Sequence, residues 1–222
     1  MRYLYHLPLS PFSRKVRLLL AEKRLPFELR VEKVWERRSE YLDLNPAGTV
    51  PTLLEDGGLA IPDSTVIAEY LEEAYPDTSL LGRGHAERVE ARRLAAWFDG
   101  KFYTEVTDRL LGEKYMKRLT GRGNPDAGAL RAGYAALGPH LDYVGWLSET
   151  RTWLAGSAIS LADFAAAAQL SALDYIGEID WHTAPAAKEW YARMKSRPCF
   201  RGLLADRVPG LTPPAHYADL DF

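Results

Sequence analysis

The chain has 222 residues, 47% hydrophobic and 26% charged, with a formal net charge of -2. That is enough apolar material for one large domain or two small ones, and too even a charge balance for binding nucleic acid or a membrane surface through charge alone. The single cysteine, Cys199, excludes an intrachain disulfide and a cysteine-rich metal site.

In chain order, "RYLYHL" alternates and is rich in aromatics, which predicts a strand. "PFSRKVRLLLAEKRL" places Val16, Leu19 and Leu20 at helical spacing, with Arg and Lys filling the other face. "PFELRVEKV" reads as a second strand after Pro26, and "VPTLLEDGGLAIPD" as a hairpin turning on Asp56-Gly57-Gly58. "DSTVIAEYLEEAY" opens on a capping residue and runs helical to Pro76. The order over residues 1–78 is therefore β-α-β, a connection, then β-β-α. Residues 79–86 are turn-rich and read as a linker, and residues 87–205 carry helical patterns almost throughout. Within them, "SLADFAAAAQLSALDYIG" is too uniformly apolar for a surface helix and is expected at the centre of the second domain. Residues 206–222 stand apart as a tail of prolines, aromatics and acids. No run approaches the ~20 apolar residues of a membrane span, and the N-terminus lacks a signal-peptide core, so a cytoplasmic protein is expected.

Several residues carry candidate chemistry. Ser10 precedes Pro11 at the start of the first predicted helix. Its hydroxyl there is placed either to cap the helix or to donate to a bound thiolate that the helix dipole also favours. Ser13 and Tyr5 are the fallback hydroxyls. Asp63 and Ser64 open a helix, where they suit a routine N-cap or a site for a carboxylate and an ammonium. Ser160 and Asp163 in "SLADF" form a capping box and are assigned a structural role. His6, His85, His140, His182 and His216 show no metal-ligand spacing, so no metal is expected, and no glycine-rich nucleotide-binding pattern occurs. Trp35 lies among charges, either as a loop anchor or as a contact for a partner. In the tail, Tyr217, Leu220 and Phe222 interleave with Asp219 and Asp221. That pattern suits a recognition segment, or a strap folded back over the helical domain and its cleft.

Together, "SPFSRKVR", "NPAGTVPTL", "DSTVIAEYL" and "SLADF", in this order and covering almost the whole chain, resemble the glutathione S-transferase superfamily. The resemblance implies the cytosolic transferase fold, α/β plus all-α: a thioredoxin-like N-terminal domain followed by an all-helical one. It also implies a cis Val50-Pro51 bond, with Val50, Pro51, Asp63 and Ser64 contacting glutathione, Arg37 or Arg38 meeting its glycyl end, and Ser10 facing its thiol. "VWERR" and the terminal "HYADLDF" further resemble an alphaproteobacterial cell-division branch of the superfamily. That branch implies a homodimer at the division site that binds FtsZ filaments and promotes their curvature and constriction. Trp35, Tyr217, Asp219, Leu220, Asp221 and Phe222 would then bind the partner, and no cofactor would be required, although glutathione remains a possible ligand. The alternative is a glutathione transferase acting on small electrophiles through a serine-stabilised thiolate.

Overall fold

The computed structural model describes residues 1–220. Strand β1 (Tyr3–His6) lies inside a 4-stranded sheet of order β2-β1-β3-β4. It pairs in parallel with β2 (Glu28–Val31) and antiparallel with β3 (Thr52–Leu54), which continues antiparallel into β4 (Ala60–Pro62). The parallel pair needs a crossover, and α1 (Pro11–Glu22) supplies it. The β3–β4 hairpin turns where expected, with Gly57 and Gly58 at φ of 104° and 93°, values that glycine adopts without a side-chain clash. A short α2 (Ser39–Leu42) lies in the connection, and α3 (Ser64–Ala74) closes the first unit.

The second unit begins with α4 (His85–Ala96), which continues unbroken through Trp97–Met116 into α5 (Lys117–Leu119). The Trp97–Met116 stretch is wound as a π-helix, and at its end the Lys117 N–H reaches the Gly112 carbonyl, an i→i+5 step. Its buried residues Phe98, Phe102, Val106, Thr107, Leu110 and Leu111 line one side. Then come α6 (Ala127–Thr150), α7 (Leu161–Tyr175), α8 (Pro185–Lys195) and a final turn α9 (Arg201–Leu204). Every residue of α7 is buried, as its uniform small-residue composition predicts. Among the described residues, no helix is long and apolar enough to cross a membrane.

A cation on a helix faces solvent by default, yet Arg14, Lys15 and Arg17 of α1 are all buried. The reason is that α1 packs against α3 on one side and α7 on the other, so its second face meets protein rather than water. Each cation has a partner from the second unit. Lys15 pairs with Asp99, and Arg17 holds Asp206 through two hydrogen bonds of 2.8 and 2.7 Å. Arg14 donates to the Ser171 carbonyl at 3.2 Å, to the Tyr217 hydroxyl at 2.8 Å and to Asp206 at 3.4 Å. Cys199 is also buried, and burial pushes its thiol up to about 12, so it stays protonated near neutral pH.

Candidate functional site

Between β1 and α1 the chain turns through Pro8 and Leu9, and Ser10 becomes the N-cap of α1, with Pro11 at the first helical position. Ser10 Oγ accepts from the Ser13 N–H at 3.2 Å. A capping oxygen acts as an acceptor, so the Ser10 hydroxyl hydrogen stays free to donate outward. Capping and thiolate binding are therefore compatible at this residue.

Ser10 borders a cleft of about 260 Å³ walled also by Phe12, Val34, Val50, Tyr103 and Met116. The wall is largely apolar, and the Phe12 and Tyr103 rings meet at 4.7 Å between centroids. Val50–Pro51 is cis, as the family resemblance implies. Val50 borders the cleft, while Pro51 is buried behind it. The loop carrying them is fastened by residues that sequence reading passed over. Asn45 Nδ2 donates to the Thr49 carbonyl at 2.8 Å, and the Tyr41 hydroxyl bonds that carbonyl and lies 2.9 Å from Thr52 Oγ1. The asparagine of "NPAGTVP" was the available signal, because Asn favours such local turns. Tyr103 and Met116 were not legible as cleft residues, since they arrive on the long helix from the second unit.

The remaining hydroxyl and carboxylate candidates lie elsewhere. Ser13 is buried, with its Oγ accepting from the Leu7 N–H at 3.4 Å. The Tyr5 hydroxyl accepts from Arg30 at 3.2 Å, and Tyr5 does not border the cleft. Asp63 caps α3, accepting from the Thr65 and Val66 N–H groups at 2.6 and 3.2 Å. It does so at φ 73°, an uncommon value for a residue with a side chain. Ser64 is buried at the first position of α3. Neither residue is part of the cleft wall. Ser160 and Asp163 close a capping box at the start of α7, and Asp163 also accepts from the Leu154 N–H at 2.9 Å and the Trp190 indole at 3.0 Å.

A second cavity of about 500 Å³ adjoins the first and is bordered by Trp35, Arg37, Lys117 and Arg122. The two share Val34, Gly48, Asp108, Gly112 and Met116, so they form one continuous groove. Trp35 is half-buried in a short helical turn. Arg38 is committed to Glu32 at 2.6 Å, whereas Arg37, at φ 46°, has no ion pair among the described residues.

The tail folds back on the helical domain, and among the described residues none of the tail borders the cleft. Tyr217 was expected to face a partner, yet it is 0% exposed and this role is corrected. Its hydroxyl receives the Arg14 bond and donates to the Leu203 carbonyl at 3.1 Å, and its ring meets Tyr175 edge-on at 4.9 Å. An amphipathic ring that fills an apolar slot with its hydroxyl satisfied is an anchor, not a contact surface. His216 Nε2 lies 2.8 Å from the buried Asp174, and Lys195 donates to the His216 carbonyl at 2.9 Å. Burial lowers the Lys195 ammonium to about 8, against the pull of Asp174 and Asp219. Asp219 and Leu220 are exposed, Leu220 to 41%. Asp221 and Phe222 lie outside the described residues.

A thioredoxin-like unit whose first helix presents a serine to a cleft beside a cis-proline loop, joined to a helical bundle, defines a class of protein. Residues 4–79 match the family of glutathione S-transferase N-terminal domains and residues 141–198 that of the C-terminal domains, and the chain belongs to the glutathione S-transferase family. Among its relatives is FtsZ-localized protein A of Caulobacter vibrioides, 54% identical over 224 residues that cover 100% of this chain and 98% of that protein. The crystal structure of a glutathione S-transferase from Rhodospirillum rubrum superposes with a TM-score of 0.98 at 53% identity, covering 100% of both chains. The structure of FzlA from C. crescentus superposes with a TM-score of 0.96 at 54% identity, covering 100% of this chain and 99% of that one.

Proposed function

We propose that the chain is a homodimeric regulator of cell division that binds FtsZ filaments at the division site and promotes their curvature and constriction, without depending on glutathione transfer. The observation that carries this reading is the end-to-end likeness to FtsZ-localized protein A, which extends through the loop around Trp35 and into the tail. The geometry supports it in a second way. Tyr217 fixes the tail to the core, so the exposed Asp219 and Leu220 sit at a defined place on the surface. A dimer would carry two such places, and two linked sites on a repeating filament gain avidity that one lacks.

Co-sedimentation with GTP-assembled FtsZ tests the reading. Wild-type protein is expected in the pellet, with Trp35→Ala and Asp219→Lys each lowering the bound fraction by about tenfold or more. Wild type that stays in the supernatant at low salt refutes the function.

The position of Ser10 favours one other reading, a glutathione transferase. Ser10 would donate to the thiolate and Val50 would flank the cysteinyl part, while Asp63 and Ser64, lying off the cleft wall, give less support for the γ-glutamyl end. Bound glutathione would supply the nucleophilic sulfur, and the protein would supply its orientation and a lowered thiol pKa. In that case Ser10→Ala should cut conjugation of a chloronitrobenzene electrophile by about a hundredfold. An enzyme that loses nothing on this substitution does not use Ser10, and one with no wild-type turnover ends this reading.

A further inference from the structure

We infer that the continuous groove from Ser10 past Trp35 to Arg122 seats an extended acidic segment of the filament subunit, with one apolar side chain of that segment filling the cleft. This rests on the FtsZ-binding reading and adds to it the chemistry of what is bound and where.

The two ends of the groove differ in character. The inner end, with Leu7, Leu9, Phe12 and Tyr103 in its wall, has about 260 Å³. That is below the roughly 300–1,000 Å³ of pockets for drug-sized ligands, and it suits a single branched or aromatic side chain. The outer end, of about 500 Å³, brings cations to its rim beside the Trp35 indole. Acids also border it, but they are engaged within the protein. Glu113 pairs with Lys117 and accepts from the Asp126 N–H at 2.7 Å, and Asp108 accepts from the Tyr103 hydroxyl at 3.4 Å. Arg37 and Arg122 are exposed and have no ion pair among the described residues. An aromatic flanked by uncommitted arginines is complementary to a negatively charged peptide.

Gly48 keeps the two ends joined. It borders both cavities at φ +63°, and a side chain there would lie 3.1 Å from Leu42 and 3.3 Å from the Arg37 guanidinium. Any larger residue would displace Arg37 or narrow the passage. A segment spanning the groove also occupies the cleft that Ser10 borders, so glutathione and the partner exclude one another.

The test combines cross-linking with charge reversal in the full-length protein. With p-benzoylphenylalanine in place of Thr120, on the groove wall, irradiation with assembled FtsZ should trap one acid-rich stretch of FtsZ containing an apolar residue. Arg37→Glu and Arg122→Glu lie on the surface, and each should weaken pelleting about tenfold. S-hexylglutathione should displace wild type from the filaments. Cross-links to a surface without acids, or pelleting by both arginine variants at the wild-type level, overturns the groove while leaving filament binding in place. A wild type that fails to pellet overturns the FtsZ reading itself, and the groove assignment with it.

Discussion

Asp163→Ala should destabilise the protein by about 3–5 kcal/mol, among the largest effects of any single substitution in the helical domain. The carboxylate is fully buried. Its Oδ1 accepts from the Leu154 N–H at 2.9 Å and the Trp190 indole at 3.0 Å, and its Oδ2 from the Ser160 N–H at 3.0 Å. Alanine leaves all of these donors without an acceptor, and each buried orphan costs about 1–3 kcal/mol. Their costs overlap, because one local shift of the loop around Leu154 relieves several at once. An exposed cap would cost only about 0.5–2 kcal/mol, so the excess measures burial. Urea unfolding with a constant slope is the measurement. Asp163→Asn keeps one acceptor oxygen and should recover part of the loss. A loss below about 1 kcal/mol would show that the box behaves as an exposed cap.

Arg14→Ala is expected to cost about 3–4 kcal/mol and to release the tail as well. The guanidinium is fully buried and joins segments far apart in the chain. Its Nε donates to the Pro8 carbonyl at 2.7 Å, while Nη1 serves Ser171 at 3.1 Å and the Tyr217 hydroxyl at 2.8 Å. Its carbon lies 5.4 Å from the Tyr175 ring centre, within cation–π range. Truncation empties this volume and strips a donor from each oxygen. Asp206 is spared, since Arg17 still holds it through both oxygens. Arg14→Lys should rescue little, because an ammonium cannot reproduce the planar fork. Limited trypsinolysis after Arg207 reports the tail directly. Faster cleavage in the alanine variant, with Tyr217→Phe intermediate at about 1 kcal/mol, is the expected order. A tail as resistant as wild type would mean that the contacts of His216 and the Tyr217 ring secure it without Arg14.

Much of the fold is legible from local pattern. The strand and helix order of the first unit follows from periodicity and from Asp56-Gly57-Gly58, whose turn chemistry is local. The burial of α7 follows from a composition that leaves no polar stripe. What escapes sequence reading is the set of pairings made at a distance. Lys15 and Asp99 are 84 residues apart, and Arg17 and Asp206 are 189 apart. A cation on a helix is by default a solvent-facing group, and nothing within one turn of Arg14, Lys15 or Arg17 announces an acid. Tyr217 was misjudged for the same reason: its surroundings in sequence are polar, and the arginine it meets lies near the other end of the chain. In the candidate site, Ser10 and Val50 could be found because family-like motifs carry them. Trp35 could be singled out as an aromatic among charges, but its joining with Arg122 across Met116 depends on the long helix reaching the first unit.

The depth of the Tyr217 anchor sets how far Asp219 and Leu220 can travel. Leu220 lies three residues beyond it, and such a length spans at most roughly 10 Å when fully extended. Asp219 and Leu220 are therefore confined to a small volume around one fixed post, and little freedom remains to be lost when a partner takes hold. In the proposed dimer, two posts would act as the jaws of a caliper whose opening is set by the helical cores. A filament repeat matching that opening would be gripped at both jaws, while one stretched or bent away from it would be held at a single point. Inserting a flexible spacer after Tyr217 would keep every contact residue in the chain and remove the gauge.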